Sequence, residues 1–149
     1  MIHADRPNTQ TINIKTHDPL CAPIQSESGD WIDLSTAHEY TLKSGDFALI
    51  DLGVSMSLPS EHEAHLIVRS STFKKYGIIQ TNGMGIIDNS YSGDDDIWKL
   101  PVYATRDITI PAHVRIAQFR TVPVQPFTHF FLVPTLNNPS RGGFGSTGD

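Results

Sequence analysis

The stretch FALIDLGVSMSL, residues 47–58, alternates between two kinds of side chain along most of its length. In an extended chain, successive side chains point to opposite faces. Two groups of residues would then face apart, with Phe47, Leu49 and Asp51 on one side and Ala48, Ile50 and Leu52 on the other. Because a period of two indicates a strand with one face on a core, we expect a long strand over residues 46–58.

Seven other short runs have a similar character and are separated by Gly, Pro, Ser, Asn and Asp. They are residues 11–15, 39–42, 64–69, 77–80, 97–104, 114–122 and 127–133. Ten prolines and eleven glycines favour many turns over long helices. Only SSTFKKY, residues 70–76, predicts a short helix, which Ser70 or Ser71 could cap and Gly77 could end. The sequence therefore predicts an all-β fold, either a jelly roll or a barrel-like sandwich.

Length and composition predict a single globular domain over residues 1–149. Of these 149 residues, 38% are hydrophobic and 18% are charged, which indicates neither a disordered chain nor a membrane protein. No apolar run approaches the roughly 20 residues that a membrane-spanning helix needs. The last residues, NNPSRGGFGSTGD, lack periodicity and are rich in glycine. They predict a mobile C-terminal arm over residues 137–149.

Charge excludes one class of partner. The net charge is −5, with 11 basic against 16 acidic residues, and no basic cluster is larger than Lys74-Lys75. A nucleic-acid polymer is normally bound through a positive stripe, so we expect none here. The lone Cys21 cannot form an internal disulfide, and we interpret it as a structural thiol. With no signal-peptide pattern in the first ten residues, we expect a cytoplasmic protein.

Five separated segments carry polar groups in or beside the apolar runs. In GMGIIDNSYSG, residues 83–93, the carboxylate of Asp88 precedes the ring of Tyr91 in a turn-rich context. A hairpin there could place backbone groups, a base and a ring around one ligand. In VRSS, residues 68–71, amides and hydroxyls at a helix start suit anionic oxygens.

The other three segments are shorter or terminal. RIAQ, residues 115–118, would place Arg115 and Gln118 on opposite faces of a strand. RGGFGSTG, residues 141–148, offers an arginine for phosphate, a ring for stacking, hydroxyl donors and glycines that let the backbone close on a ligand. In DWIDL, residues 30–34, Asp33 could hold a hydrated cation.

In this order and spacing, the five segments resemble the five motifs of the trimeric dUTPases. The matching stretches are residues 29–37, 68–73, 82–93, 115–118 and 141–148. The resemblance implies a jelly roll or distorted β-barrel with one short helix, assembled as a homotrimer with active sites at subunit boundaries. It also implies Mg²⁺-assisted hydrolysis of dUTP to dUMP and pyrophosphate, which limits uracil incorporation into DNA and supplies dUMP.

The resemblance also implies a role for each matching residue. Asp88 would be the general base that activates the attacking water, and Tyr91 would pack against the deoxyribose and exclude a ribose 2′-hydroxyl. The uracil edge would be read by Asn82 and the backbone of Gly85, Ile86 and Ile87. Phosphate oxygens would be bound by Arg69, Ser70, Ser71 and Gln118. Asp33 would contact Mg²⁺ through water, and the arm would close with Arg141, Phe144, Gly145, Ser146 and Thr147.

Two alternatives remain open from the sequence. A dCTP deaminase of the same superfamily shares the serine-containing second motif, although it needs a catalytic glutamate where this chain has Asp94-Asp95-Asp96. A nucleotide-gated binding protein that regulates a partner is the other alternative. Such a partner could use the surfaces at residues 57–65 and 119–139.

Overall fold

The structure is a computed structural model, and it describes residues 9–145. Within that range the chain forms twelve strands, a 3₁₀ turn at Pro19–Cys21 and one five-residue helix, α1 (Thr72–Tyr76). The strands are β1 (Asn13–Thr16), β2 (Ile24–Gln25), β3 (Ile32–Ser35), β4 (Tyr40–Leu42), β5 (Phe47–Asp51), β6 (Val54–Ser57), β7 (His62–Val68), β8 (Ile78–Gln80), β9 (Gly85–Ile87), β10 (Lys99–Ala104), β11 (Ile108–Ile110) and β12 (Arg115–Pro123). The all-β prediction is confirmed. In residues 9–145, no helix has the length and apolar character needed to span a membrane.

The alternation in the opening stretch is confirmed over its first half. Ile50 and Leu52 are fully buried, whereas Phe47 and Leu49 are more than half exposed. The strand β5 therefore places one face on the core and turns the other outward. It pairs with β10, which in turn pairs with β8, so these three antiparallel strands form one sheet.

The predicted strand over residues 46–58 is in fact two strands, β5 and β6, which belong to different sheets. The chain changes direction at Gly53, whose φ is +68°. A Cβ atom added there would lie 2.7 Å from Cβ of Cys21. Positive φ and this close approach both require glycine, so Gly53 ends β5 and redirects the chain. After the turn, β6 pairs with β1.

The largest sheet has five antiparallel strands in the order β2-β3-β12-β7-β9. Its longest strand, β12, is hydrogen-bonded to β3 on one side and to β7 on the other. The strands β2, β3, β9 and β11, of two to four residues each, were not among the predicted runs. A separate pair, β4 and β11, completes the sheets of the described range.

A β-bulge interrupts the regular alternation of β12. Arg115 faces Ser35 and Ala117 faces Leu34, so β12 carries one extra residue at this point. Ile116 and Ala117 are both fully buried despite being consecutive. The extra residue shifts the alternation, and the prediction that Arg115 and Gln118 lie on opposite faces is therefore wrong: both line the same cavity.

One apolar core holds the sheets together. The ring of Trp98 meets that of Phe119 edge to face, with centroids 5.0 Å apart, and both side chains are buried. The packed side chains come from strands of all four sheets, for example Leu42, Ile50, Val54, Leu66 and Ile110. Burial of this apolar surface is the main stabilising term of the fold.

The short helix is confirmed, but its predicted cap is not. Ser71 occupies the N-cap position of α1 with helical backbone angles, and its side chain makes no capping hydrogen bond. The helix ends as predicted at Gly77, which has φ of +62° and donates its N–H to the carbonyl of Phe73 at 2.7 Å.

The predicted strand over residues 127–133 is wrong. No strand or helix occurs between residue 124 and the end of the described range at residue 145. Phe131 and Leu132 are 85% and 102% exposed. A strand needs a hydrogen-bonding neighbour. The side chains of this segment are largely exposed and none of the described sheets includes it, so apolar composition alone does not make it a strand.

Replacing Leu66 with Ala should lower the free energy of unfolding by about 2–5 kcal/mol, because a fully buried leucine leaves a cavity. The matched control is Leu20→Ala, since Leu20 is 68% exposed and should change stability by about 0.5 kcal/mol or less. Urea titration followed by tryptophan fluorescence measures both. Equal losses for the two variants would contradict the assigned core.

Candidate functional site

The five-stranded sheet and its neighbours gather the predicted site residues into two separate cavities. The first, here called the Asp88 pocket, has a volume of about 270 Å³. It lies where β9, β5 and β10 approach one another. Its lining residues are Leu49, Ile86, Ile87, Asp88, Tyr91, Ile97 and Lys99. The pocket therefore combines apolar walls with one acidic and one basic side chain.

Backbone and side-chain hydrogen bonds fix the turn that carries Asp88. The Tyr91 N–H donates to the carbonyl of Asp88 at 3.0 Å, and the Tyr91 hydroxyl donates to the carbonyl of Ile97 at 3.1 Å. The Asn89 side-chain amide donates to the carbonyls of Pro59 and His62, both at 2.8 Å. These bonds hold the carboxylate of Asp88 and the ring of Tyr91 on the same cavity.

The predicted hairpin around Asp88 is wrong in its pairing. The strand β9 pairs with β7, whereas β8, the strand before it, pairs with β10 in another sheet. Since β9 is at the end of the five-stranded order, its outer edge offers backbone N–H and C=O groups that no strand of that sheet uses. Ile86 and Ile87 lie on this edge and line the pocket.

The second cavity, here called the Asp33 pocket, has a volume of about 240 Å³. It is lined by Ser26, Gly29, Asp30, Trp31, Asp33, Arg69, Ser70, Arg115 and Gln118. The sheet order explains the grouping: Gln118 of β12 lies directly opposite Asp33 of β3, and Arg69 and Ser70 follow the end of β7. On the lining, Trp31 is covered by the guanidinium of Arg120, 5.5 Å from the ring centroid.

Asp33 is buried between two arginines. Nε of Arg69 donates to Oδ1 of Asp33 at 3.1 Å, and a terminal nitrogen of Arg115 donates to Oδ2 at 3.2 Å. Only 10% of the Asp33 side chain is exposed. One carboxylate therefore fixes two guanidinium groups, each of which keeps further N–H donors for another anion.

Arg115 was missed as a functional residue by the sequence reasoning, which assigned a role to Gln118 alone in this segment. The bulge turns Arg115 toward Asp33, and a bulge has no reliable sequence signal. The formal charges of the Asp33 pocket balance, because Asp30 and Asp33 oppose Arg69 and Arg115. The Asp88 pocket is balanced in the same way by Asp88 and Lys99.

Gln80 is a second residue that the sequence reasoning missed. Its side chain is almost fully buried, accepts from the Val68 N–H at 3.1 Å and donates to the Leu66 carbonyl at 3.0 Å. It also donates to Oδ1 of Asn82 at 2.9 Å, which orients the Asn82 amide. A glutamine at an inward position of a strand is an available signal, because a buried amide must find partners.

The remaining predicted residues lie outside both cavities. Ser71 is at the start of α1, Gly85 packs against Leu66, and Asn82 is exposed beside Gln80. Arg141, Phe144 and Gly145 lie on the exposed terminal segment and line neither cavity. Ser146 and Thr147 lie outside the described residues.

The two cavities share no lining residue. One offers an ionisable carboxylate beside an aromatic ring and free strand edge, which suits a planar polar ring and a water to be deprotonated. The other offers paired guanidinium groups with hydroxyl and amide side chains, which suits phosphate oxygens. These two sets of chemical groups therefore lie at different places on the surface of a single chain.

Comparison with known proteins agrees with this chemistry. The sequence profile of the dUTPase family matches residues 16–148. The SPbeta prophage-derived deoxyuridine 5′-triphosphate nucleotidohydrolase YosS of Bacillus subtilis is 51% identical over 138 residues, covering 92% of this chain and 97% of its own. The deoxyuridine 5′-triphosphate nucleotidohydrolase of Clostridium acetobutylicum is 34% identical over 137 residues, covering 90% and 93%.

Solved structures share the jelly-roll fold at lower identity. A Staphylococcus bacteriophage 80alpha dUTPase variant determined with dUpNHpp superposes with a TM-score of 0.76 at 20% identity, covering 95% of this chain and all of that one. The dUTPase of Streptococcus mutans gives a TM-score of 0.71 at 19% identity, covering 80% and 100%. With the family profile matching most of its length and a relative sharing half of its residues, this chain belongs to the dUTPase family.

Proposed function

We propose that this protein hydrolyses dUTP to dUMP and pyrophosphate, and so limits uracil incorporation into DNA while supplying dUMP. Its membership of the dUTPase family supports the activity. The observation that carries the assignment of residues is the Asp88 pocket, where a carboxylate, an aromatic ring and an open strand edge line one cavity. Individual residues of this pocket can therefore be given roles in the reaction of the family.

Asp88 acts as the general base. Its carboxylate takes a proton from a water molecule as the water oxygen bonds to the α-phosphorus of dUTP. The bond between that phosphorus and the bridging oxygen to the β-phosphorus breaks, and pyrophosphate leaves. General-base assistance typically contributes about 10²–10⁴-fold to a rate. The lining position of Asp88 and its fixed turn support this role.

The nucleoside is selected beside the same carboxylate. The outer edge of β9 presents backbone groups at Gly85, Ile86 and Ile87 that can pair with the uracil edge, and Asn82 is oriented nearby by Gln80. Tyr91, held by its bond to Ile97, packs against the deoxyribose and leaves no space for a 2′-hydroxyl. Because this strand edge lies close to the base, it also leaves no room for the methyl group of thymine.

The triphosphate is held by Arg69, Ser70, Arg115 and Gln118, which line the Asp33 pocket, and by Ser71 at the start of α1. Because acidic and basic groups balance in the Asp33 pocket, the protein alone offers little net attraction for a strongly anionic substrate. Mg²⁺ would neutralise phosphate oxygens and orient them when it is bound. Asp33 would hold it through water, since both Asp33 oxygens already accept hydrogen bonds from arginines.

The active enzyme is a homotrimer with each site shared between copies. Two observations support sharing. The two cavities have no common residue, and the terminal segment exposes apolar side chains such as Phe130 and Leu136, which a neighbouring copy could cover.

Each chain is one domain of 149 residues. Its arm at residues 137–149 closes over a nucleotide with Arg141, Phe144, Gly145, Ser146 and Thr147. The protein acts in the cytoplasm on free dUTP, without binding a nucleic-acid polymer or a membrane.

The dCTP deaminase alternative is not favoured, because the family profile and the closely similar relatives are dUTPases. Regulation of a partner protein by the nucleotide-bound state stays a prediction from the sequence. No contact in residues 9–145 identifies such a partner.

Asp88→Asn should lower kcat for dUTP about 10²–10⁴-fold while dUpNHpp still binds, because the amide keeps the shape of the side chain and loses the base. Pyrophosphate release is measured with dUTP, dTTP, dCTP and UTP, in Mg²⁺ and in EDTA. The matched control is Asp95→Asn, an exposed aspartate outside both cavities. Full activity of Asp88→Asn would exclude this carboxylate as the base.

Asp33→Asn should lower kcat/KM for dUTP about 10- to 100-fold, because a small displacement of positioning groups costs that much. Because Asp33 would also hold Mg²⁺ through water, the Mg²⁺ concentration that gives the half-maximal rate should rise in Asp33→Asn and stay unchanged in Arg115→Lys. Arg115→Lys should then give a similar loss, since lysine keeps the charge and loses the planar fork.

The competing outcome has a distinct pattern. An unchanged Mg²⁺ requirement in Asp33→Asn would exclude the metal role of Asp33 and leave it as a positioning residue for the two arginines. Circular dichroism of both variants checks that the sheet survives the loss of a buried ion pair.

Mixing two inactive chains tests the shared site. Asp88→Asn and Arg69→Gln each damage one cavity, and Gln keeps an N–H donor for Asp33. After co-refolding at equal amounts, about a quarter of the sites in randomly mixed trimers contain two intact halves, so activity should return to about a quarter of wild type.

Native mass spectrometry confirms that mixed trimers have formed. Mixed trimers without activity would place both cavities of a working site in the same chain. The control mixture, Asp88→Asn with Asp88→Asn,Arg69→Gln, contains no intact Asp88 and should stay inactive.

A further inference from the structure

Three side chains with metal-binding atoms converge away from both cavities. They are Asp18, Cys21 and His113, whose donor atoms all lie within 4.8 Å of one another. None of the three lines the Asp88 pocket or the Asp33 pocket. The cluster supplies one oxygen, one sulfur and one nitrogen, and the proposed hydrolysis uses none of them.

Two of these residues are held by the 3₁₀ turn. Asp18 is the N-cap of Pro19–Cys21, and its Oδ1 accepts from the Leu20 N–H at 3.0 Å. This bond directs the other oxygen, Oδ2, to within 2.6 Å of Nε2 of His113. The hydrogen bond from His113 holds the pKa of Asp18 below its usual range, so the carboxylate is ionised at neutral pH. Cys21 ends the turn three residues after Asp18.

The third residue is fixed by the turn that precedes β12. His113 has φ of +61°, and its N–H donates to the carbonyl of Thr36 at 2.7 Å. The hydroxyl of Thr36 donates to the Pro111 carbonyl at 2.7 Å and accepts from the Val114 N–H at 3.2 Å. Sγ of Cys21 lies 3.6 Å from the same Thr36 carbonyl. The carbonyl of Thr36 therefore holds the backbone of His113 close to the buried thiol of Cys21.

We propose that Asp18, Cys21 and His113 bind a divalent transition metal of the zinc type, with water in a fourth position. Thiolate, imidazole and carboxylate together select such an ion over Mg²⁺ or Ca²⁺, which take oxygen ligands. Zinc bonds of about 2.0–2.3 Å in a tetrahedron set donor atoms about 3.3–3.8 Å apart. The observed spacing reaches this arrangement with side-chain shifts of about 1 Å, as the Asp18–His113 hydrogen bond opens.

The burial of the three donors suits the same arrangement. Cys21 has 0% exposure, whereas the side chains of Asp18 and His113 are 29% and 36% exposed. An ion would reach the cluster from solvent and lie against a shielded sulfur. The competing description is a hydrogen bond between His113 and Asp18 beside a protonated thiol, because burial raises the pKa of Cys21. Metal binding must displace that proton, so affinity should rise with pH.

The position of the site gives it a structural effect distinct from that of Mg²⁺. His113 stands two residues before Arg115, which contacts Asp33. A bound ion would link the segment before β2 to the start of β12. It would raise the melting temperature of the protein, since it binds the folded chain in preference to the unfolded one.

Cobalt provides the direct test with the full-length, untagged, reduced protein. Co²⁺ should bind one per chain, give the near-ultraviolet absorption of a sulfur-to-cobalt bond, and be displaced by Zn²⁺. The variants Cys21→Ser and His113→Asn should lose this absorption and the rise in melting temperature with Zn²⁺. Asparagine tolerates positive φ, so His113→Asn preserves the turn while removing the imidazole.

The matched control is His38→Asn, which changes a surface histidine with 67% of its side chain exposed and should keep the cobalt spectrum. Absence of the sulfur-to-cobalt absorption in folded wild-type protein would overturn the proposal. Retention of that absorption in Cys21→Ser, or of full cobalt affinity in a folded His113→Asn, would overturn it equally.

Discussion

The pairing of β12 with β3 on one side and β7 on the other is the constraint on which the rest of the molecule depends. Segments far apart in the chain become neighbours only because this nine-residue strand lies between them. Its inward side chains, Ile116, Ala117 and Phe119, belong to the core. Its outward side chains reach the groups after β7 and on β3. Stability and site geometry thus come from the same set of backbone hydrogen bonds.

The buried carboxylate of Asp33 shows how the site uses that scaffold. Removing a charge from water is costly unless it is paired, and two guanidinium groups provide the pairing here. Each arginine in turn is limited to orientations that keep its bond to Asp33. The remaining N–H donors are therefore preorganised, and little further ordering of the arginines would be needed to bind a second anion.

Much of the fold could be predicted from local pattern. Alternation located β5, β7, β10 and β12, and the Ser-Ser…Gly frame located α1. The break at Gly53 was not predicted, because the clash that demands glycine comes from Cys21, which lies 32 positions earlier in the sequence. The strand predicted at 127–133 is wrong because an expected contact is absent. Apolar residues indicate that a segment needs a surface to pack against, but they do not say whether its own chain supplies that surface.

The prediction of site residues succeeded for some residues and failed for others for a similar reason. Asp88, Tyr91 and Asp33 received their predicted roles from the resemblance of their segments to the dUTPase motifs, and each of them lines a cavity. Arg115 was noticed but given no role, and Gln80 was not noticed, because their importance depends on contacts with residues of other strands. Local spacing reveals which groups are present, whereas sheet register decides which of them meet.

The single surplus residue in β12 has a consequence for redesign. Pairing β12 with β3 in a regular ladder, with every residue of β12 kept, would give the better strand by the usual rules of sheet geometry. The same regular pairing would turn Arg115 to the far side of the sheet and leave Asp33 with Arg69 alone. Automated idealisation would thus favour a more stable molecule with an altered Asp33 pocket, and the irregularity should be kept fixed in any engineering of this scaffold.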